Sequence, residues 1–397
     1  MQDIKKYNKT LKACYLGFIT QSIVCNFASL LFLRFHYEFN ISIGTIALIP
    51  TVFFFTQILI DIFCAKFVDR IGYRKCVVTS EILAALGLIG LAVLPNLFSN
   101  PFVGIIISVI IYAAGSGLIE VLVSPIVEAC PFENKERVMS LLHSFYCWGV
   151  VGVIIITTVF FKLFGIENWR ILAIIWAIIP LYNIYNFAVC PIEHLTEDGQ
   201  GLKTNVLLKN PKFWISIILM ICAGASELAM AQWASAYVES ALNLTKTIGD
   251  IVGPCLFAVA MGICRVFYGK YGEKINLLNF MTFSGVLCLV CYLLVALTKA
   301  PVLGLIGCVV CGFSVAIMWP GTISISSKQL PLGGTAMFAL LAMSGDLGGT
   351  IGPAIVGIAT EHSGNDLKSG LLLGCIFPIV LIVSTIILRL TQKKNIA

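Results

Sequence analysis

Apolar residues run through this chain in long blocks, and short polar stretches separate the blocks. Many blocks are about 20 residues long, which is enough for an α-helix to cross a hydrocarbon layer of about 30 Å. The pattern therefore predicts an all-α polytopic membrane protein with twelve transmembrane helices. The predicted spans are residues 12–34, 43–65, 76–95, 101–130, 138–163, 169–190, 211–237, 247–269, 276–298, 301–325, 334–360 and 368–390.

Twelve spans leave both chain ends on one side of the membrane, and the basic residues indicate which side. Of the 26 Lys and Arg residues, twenty fall on the side of the termini, Arg265 among them, and six fall on the other side. Because loops rich in Lys and Arg stay in the cytoplasm, we expect a protein of the cell membrane with both termini cytoplasmic. The net charge of +6 then reflects topology rather than nucleic-acid binding.

The two halves of the chain resemble each other. The longest polar stretch between spans, residues 191–211, divides the chain into halves of similar length. FVDRIGYRK after span 2 corresponds to FYGKYGEKI after span 8, which aligns Gly72 with Gly272. Such a repeat predicts two six-helix bundles, residues 1–198 and 199–397, related by an axis along the membrane normal.

Several features argue against other classes of function. The pairs CLVC and CVVC have the spacing of a zinc ribbon, but both lie in apolar spans, where cysteine behaves as a small hydrophobic residue. The fifteen cysteines are scattered and odd in number, which does not fit a disulfide framework. The chain lacks the G-x-x-x-x-G-K-[ST] motif for ATP, and no nucleophile–base pair stands out. We therefore expect no metal, no cofactor and no enzyme activity.

The segment AKFVDRIGYRK after span 2 resembles the loop motif of the major facilitator superfamily. Asp69, Arg70, Gly72 and Arg74 fit that motif, and the twelve spans and the repeat extend the resemblance over the whole chain. The resemblance implies transport by alternating access, in which two bundles rock around a central site. It also implies a cytoplasmic gate made of these four residues and Glu128, with Glu128 paired to Arg70 or Arg74.

Three further segments resemble the fucose permease-like sugar:proton symporters of that superfamily. GLIEVLVSP in span 4 has Glu120 five residues before Pro125, and LLHSFYCWG in span 5 has His143 before Ser-Phe. SELAMAQWASAYV in span 7 resembles the group's pattern through Glu227 and Trp233. The chain departs from the group in span 1, where the symporters carry an acid and this chain has uncharged polar residues.

Acidic residues inside a span need a partner, water or a function, because a charge at the bilayer centre costs about 2.5–3.5 kcal/mol. Glu120 is either a protonated group held by a neighbouring helix or, as we favour, a cavity carboxylate that binds hydroxyl groups or a proton. His143 is either a packed core residue or a partner that shares a proton with Glu120. Asp346 is either a packing residue among glycines or a proton-coupling group, and Asp61 is expected to be structural.

Polar and aromatic residues of the spans complete the predicted site. Aromatic faces pack against the apolar face of a sugar, and an apolar wall with a few polar groups is typical of small-molecule sites. The predicted solute-binding residues are Gln21, Asn26, Glu120, His143, Trp148, Glu227, Gln232 and Trp233.

These features together predict a secondary active transporter of a small polyhydroxy solute, in particular a sugar, driven by proton symport. We expect it to act as a monomer in the lipid bilayer, with the sugar-like solute and H⁺ as its partners. One alternative is a proton-antiport exporter of hydrophobic or drug-like compounds, which would need a larger and more apolar cavity. A second alternative is a sensor that does not transport, which would usually carry a longer cytoplasmic extension.

Overall fold

The computed structural model describes residues 2–46, 48–195, 201–242, 246–364 and 366–394. Side chains are described in these ranges except at residues 2–5, 43, 235–252 and 391–394. The transmembrane helices are α1 Gln2–Asn26, α2 Leu48–Ile71, α3 Tyr73–Val93, α4 Pro101–Ala129, α5 Lys135–Phe164, α6 Trp169–Val189, α7 Pro211–Leu242, α8 Lys246–Tyr271, α9 Leu277–Leu297, α10 Pro301–Val315 with Met318–Gln329, α11 Gly334–His362, and α12 Leu367–Gly374 with Ile376–Lys394.

The helix count agrees with the apolar pattern of the sequence. Eleven helices are long and apolar enough to cross a membrane on their described residues. Helix α8, with 26 residues, takes the place of the remaining predicted span. The described ranges contain no β-strand. The prediction of an all-α protein with twelve transmembrane helices is therefore confirmed.

Helix α1 begins well before the first predicted span. It starts at Gln2, and its polar first turns find partners near the end of α6. The Tyr7 hydroxyl donates a 2.7 Å hydrogen bond to Glu193, and the Thr10 hydroxyl donates to the Pro191 carbonyl. Hydropathy marks only the apolar part of a helix, so it misses polar turns that extend beyond that part.

Gly72 shapes the connection between α2 and α3. Its φ angle is +96°, a backbone conformation that residues with a Cβ rarely adopt. Its amide donates to the Val68 carbonyl at the end of α2, and its carbonyl accepts from the Cys76 amide at the start of α3. The glycine of the loop motif therefore allows one helix to follow the other directly.

Helix α10 is interrupted at Ala316 and Ile317. The cause lies four residues after Ala316, where Pro320 has no amide hydrogen to donate to the Ala316 carbonyl. The Gly321 amide does donate to the Ile317 carbonyl, at 2.8 Å, so the helix resumes at once. The break leaves one backbone acceptor in the middle of a membrane helix.

The chain forms two compact units. Helices α5 and α11 each contribute residues to both units. The predicted bundle boundary between residues 198 and 199 lies outside the described residues. The first unit comprises Met1–Glu133, Phe145–Gly201 and Gly334–Ala339, and the second comprises Asn134–Ser144, Leu202–Gly333 and Leu340–Ala397.

Small residues let helices pack closely within each unit. In the first unit, a Cβ at Gly87 of α3 would lie 2.6 Å from the amide nitrogen of Tyr112 on α4. In the second, a Cβ at Gly348 of α11 would lie 2.8 Å from the carbonyl carbon of Ile221 on α7. Close approach of backbones at glycine is the usual basis of helix association in lipid.

The two zinc-ribbon-like cysteine pairs lie on packed helices. Cys288 and Cys291 on α9 and Cys308 and Cys311 on α10 are all buried. The sulfur atoms of Cys288 and Cys311 are 3.9 Å apart. The described part of the chain contains no cluster of His, Cys, Asp or Glu that could hold a metal ion.

Candidate functional site

Three helices of the first unit converge on the carboxylate of Glu120. Glu120 lies within α4 and is half-buried. Its Oε2 atom accepts a 2.8 Å hydrogen bond from Nε2 of Gln21 on α1 and a 2.7 Å bond from Nε2 of Gln57 on α2. The two amide donors stabilise the ionised carboxylate, which can bind hydroxyl groups and can take up a proton when the donors leave it.

Close packing of α2 against α4 brings Gln57 to this position. A Cβ at Gly117, one turn before Glu120, would lie 3.0 Å from Cγ2 of Ile60 and 3.5 Å from Cα of Gln57. Gln57 is not among the site residues that the sequence predicts. The available signal was its position as a polar residue within an apolar run, four residues before Asp61.

Two other predicted residues of the first unit have different surroundings. Asn26 is half-buried, and its amide donates a 2.9 Å hydrogen bond to the Ser22 carbonyl of its own helix. Trp148 on α5 is 38% exposed. Their predicted roles in solute binding stay predictions.

Arg265 is the centre of a second polar cluster, in the second unit. Its side chain is 3% exposed. Its Nε donates a 2.9 Å hydrogen bond to the Ala316 carbonyl, which Pro320 leaves without a backbone donor. Its Nη1 donates at 2.9 Å to the His143 carbonyl, and its Nη2 lies 3.7 Å from Oε2 of Glu227. Arg265 thus joins α5, α7, α8 and α10.

Arg265 is counted above among the basic residues on the side of the termini, and the sequence predicts no role for it in the site. It lies inside α8, six residues before that helix ends at Tyr271, and it is buried. Pro320 provided a signal for this role, because the proline predicts an unmet carbonyl at Ala316. The sequence does not predict which side chain donates to that carbonyl.

The other predicted residues of the second unit divide between packed and exposed positions. The His143 side chain is buried, and Gln232 is exposed. The Trp233 indole donates a 3.3 Å hydrogen bond to the Pro353 carbonyl, so it bridges α7 and α11. Asp346 is buried, 5% exposed, in the glycine-rich part of α11. The predicted sharing of a proton between His143 and Glu120 stays a prediction.

The loop motif contributes a hydrogen-bonded group in the first unit. The Thr335 hydroxyl donates to Oδ1 of Asp69 and is also 2.5 Å from the Tyr73 hydroxyl. The Tyr73 ring packs against the His194 ring, with centroids 4.9 Å apart. Asp69 thereby connects the last turn of α2 to the first turn of α11.

Arg74 of the loop motif contacts the end of α6. Its guanidinium donates to the carbonyl groups of Phe187, Ala188 and Cys190. Arg70 is exposed and Glu128 is half-buried. The pairing of Glu128 with Arg70 or Arg74, and the role of the set as a gate, stay predictions.

Glu81 forms a third polar cluster, which is fully buried. Its Oε2 accepts a 2.9 Å hydrogen bond from the Thr20 hydroxyl, and its Oε1 accepts a 2.7 Å bond from Nδ2 of Asn183. Asn183 also donates to the Ala13 carbonyl. The cluster ties α1, α3 and α6 together, and each carboxylate oxygen has a donor.

Comparisons with known proteins agree with this architecture. The sequence model of the Major Facilitator Superfamily matches residues 14–353. No curated protein sequence matches the chain.

Solved structures of this fold include two sugar:proton symporters. The Escherichia coli fucose:proton symporter FucP is 16% identical, with a TM-score of 0.79 over 94% of this chain and 97% of that one. A structure of FucP in the outward conformation is also 16% identical, with a TM-score of 0.81 over 96% and 98%.

The third similar structure is the proton:xylose symporter XylE bound to 6-bromo-6-deoxy-D-glucose. It is 11% identical, with a TM-score of 0.83 over 96% of this chain and 95% of that one. At such identities the three structures establish the fold alone. The match of the family model covers most of the sequence, so the chain belongs to the Major Facilitator Superfamily and is a membrane transporter rather than an enzyme.

Proposed function

We propose that this protein is a proton-coupled symporter of a small polyhydroxy solute, a sugar, and that it works by alternating access. The observation that carries the proposal is the convergence of Gln21 and Gln57 on Glu120 inside an apolar helical unit. The amides and the carboxyl group can exchange their mutual hydrogen bonds for hydrogen bonds to solute hydroxyls. The same carboxyl group can take up a proton.

The second unit has polar and aromatic groups of its own. The buried Arg265 is paired with the partly buried Glu227 and donates to the His143 carbonyl, and the Trp233 ring is of a kind suited to the C–H face of a sugar. Small-molecule sites combine such apolar and aromatic walls with a few polar groups. Charged groups inside a membrane protein commonly mark the path of a substrate or proton.

The likeness to the fucose:proton and xylose:proton symporters supports the class of solute. Those proteins have the same fold as this chain. The sequence identity is too low to infer that this chain transports the same sugars. Polar residues on α1, α2 and α4 favour a hydrophilic solute over a hydrophobic compound.

We further propose that the transporter is a monomer of the cell membrane with both termini in the cytoplasm. The distribution of Lys and Arg supports this orientation. Fusing green fluorescent protein or alkaline phosphatase to the C-terminus tests it. A cytoplasmic C-terminus is expected to give a fluorescent fusion protein and an inactive phosphatase. An active phosphatase would show that the C-terminus lies on the opposite side of the membrane.

The function is tested by solute-driven proton uptake in proteoliposomes that contain a pH-sensitive dye. The panel comprises hexoses, pentoses, polyols and glycosides, and the variants are Glu120→Gln and Glu81→Gln. One sugar is expected to drive proton uptake in the wild type. Glu120→Gln should abolish that uptake but keep counterflow exchange, whereas Glu81→Gln should keep both activities.

Two results would contradict the proposal. If no member of the panel moves protons but lipophilic cations do, the protein is an exporter. If Glu120→Gln and Glu81→Gln have equal effects on proton uptake, Glu120 has no specific role in coupling.

A further inference from the structure

Asp61 is a buried acid beside the Glu120 cluster that has no assigned role in transport. It lies on α2 one turn after Gln57, on the helix face that approaches α4 at Gly117. The residue is 1% exposed. Both of its carboxyl oxygens are buried and lack a hydrogen-bond partner in the part of the chain that the structure describes.

The contrast with Glu81 indicates why this position is unusual. Both acids are buried, but Glu81 receives one donor on each oxygen, from Thr20 and Asn183. In this arrangement an ionised Asp61 would have no hydrogen-bond donor among the described residues, and an unpaired buried charge is strongly unfavourable. Asp61 therefore fits the arrangement described here as a neutral acid that carries its proton, and it can ionise only when transport changes these surroundings.

The ionisable neighbours of Asp61 within the first unit are few. Helix α4 presents Glu120, whose charge interacts with that of Asp61. Helix α2 itself contributes Cys64, and α3 contributes Cys76 next to Cys64. The short helix Ile43–Ile46, which also packs against α2, has no ionisable residue. None of these neighbours of Asp61 is basic, so an ionised Asp61 beside the Glu120 carboxylate is unfavourable.

We propose that Asp61 is a proton-binding site and that it shares one proton with Glu120 during transport. In the arrangement described here, Gln21 and Gln57 stabilise Glu120 as the carboxylate, and Asp61 holds the proton. A solute that binds the two amides removes donors from Glu120. The O–H bond of Asp61 then breaks as an O–H bond forms on Glu120. Glu120 releases this proton on the side where the solute leaves, and Asp61 takes up a new proton from the opposite side, so one proton crosses the membrane in each cycle. The coupling step rests on the proposed symport function, whereas proton binding at Asp61 does not.

Infrared spectroscopy of the purified protein in lipid tests proton binding without any solute. The wild type is expected to have the C=O stretching band of a buried carboxylic acid. That band should lose intensity in Asp61→Asn and should not do so in Glu81→Gln or Thr56→Val. Thr56 is a buried α2 residue that bonds its own helix. Persistence of the whole band in Asp61→Asn would overturn the proposal.

Proteoliposome transport tests the sharing of the proton, with the same sugar panel. Asp61→Asn is expected to reduce sugar-driven proton uptake at least tenfold and to change counterflow exchange less than twofold, and Asp61→Glu should recover part of the uptake. If the role of Asp61 is purely structural, Asp61→Asn should instead lower proton uptake and counterflow exchange together. Normal proton uptake in Asp61→Asn would also overturn the proposal that Asp61 and Glu120 share a proton.

Two controls separate loss of folding and loss of symport from loss of proton binding. Size-exclusion chromatography checks whether Asp61→Asn is folded and monodisperse. If it is not, Asp61→Ser replaces it, because the serine hydroxyl can donate to a carbonyl of its own helix. If the wild type moves no protons with any sugar, the symport function and the shared transport proton both fail. The infrared result still decides whether Asp61 binds a proton.

Discussion

The Nε2 atom of Gln57 lies 2.7 Å from Oε2 of Glu120, although 63 positions separate the two residues in the chain. Replacing Gln57 with leucine would keep the side-chain volume and remove this donor. In the proposed function this amide binds a solute hydroxyl instead, and a neutral hydrogen bond contributes about 0.5–1.5 kcal/mol. Gln57→Leu is therefore expected to weaken apparent solute affinity in counterflow assays by about threefold to tenfold, since 1.4 kcal/mol is tenfold.

The control for Gln57 is the preceding residue of the same helix. Thr56 is buried and its hydroxyl bonds the Val52 carbonyl within α2. Thr56→Val should leave the apparent affinity within about twofold of the wild type, since one intrahelical bond contributes about 1 kcal/mol or less. Equal losses in both variants would mean that α2 packing, rather than the amide of Gln57, sets the affinity.

Arg265 and Glu227 should depend on each other for stability. Arg265→Met would leave the Glu227 carboxylate buried without its cation, and it would remove donors from the carbonyls of Ala316 and His143. Breaking one side of a buried pair costs about 3–5 kcal/mol. Thermal unfolding in detergent should therefore begin well below the wild-type temperature.

The double variant Arg265→Met with Glu227→Gln separates the pair from the carbonyl contacts. Removing the Glu227 charge as well should recover at least about 1 kcal/mol of the unfolding free energy lost in Arg265→Met. Substitutions at residues in contact are typically non-additive by about 0.5–3 kcal/mol. Strictly additive effects would show that the 3.7 Å contact between the two groups contributes nothing to stability.

Helices α7 and α11 should tolerate no added methyl group at Gly348. A Cβ there would lie 2.9 Å from Cα of Ile221, which is backbone and cannot move aside. Gly348→Ala is expected to destabilise the protein by about 1–3 kcal/mol, as overpacking does. Gly152→Ala is the matched control because a Cβ at Gly152 would meet nothing within 4 Å. Equal melting temperatures for the two variants would refute the close contact.

The contact of Thr335 with Asp69 should restrain the start of α11. Thr335→Val removes the hydroxyl that donates to Asp69, and a bond of this kind contributes roughly 1.5–3 kcal/mol. Hydrogen exchange of the amides of residues 334–339 should become about tenfold faster or more. Thr322→Val, at a buried threonine that bonds its own helix, is the control. Unchanged exchange in Thr335→Val would remove the support for a gate at this contact.

The apolar pattern of the sequence was sufficient to predict the twelve helices, and a short motif was sufficient to locate the α2–α3 loop. The position of Glu120 within α4 could also be predicted, because an acid in an apolar run is easy to recognise. These features depend on local composition alone, and local composition decides whether a segment can cross a membrane.

The partners of the buried acids could not be predicted in the same way. Thr20 and Asn183 meet Glu81 across 61 and 102 positions of the chain. A membrane helix is apolar on the side that faces lipid and also on the side that faces protein, so its periodicity does not reveal which residues face inward. The contacts of Arg265 were not predictable for a related reason, since its distance from a helix end does not indicate its burial.

The proline of α10 and the arginine of α8 make two distant positions in the sequence interdependent. Arg265 donates to the Ala316 carbonyl, to which Pro320 cannot donate because it has no amide hydrogen. A side chain of one helix thus replaces a backbone hydrogen bond of another. Changes at the two positions should therefore compensate: Pro320→Ala, which restores the amide hydrogen, should recover part of the melting temperature lost in Arg265→Met. The arginine can accordingly be replaced during evolution at lower cost in a chain that has first lost the proline.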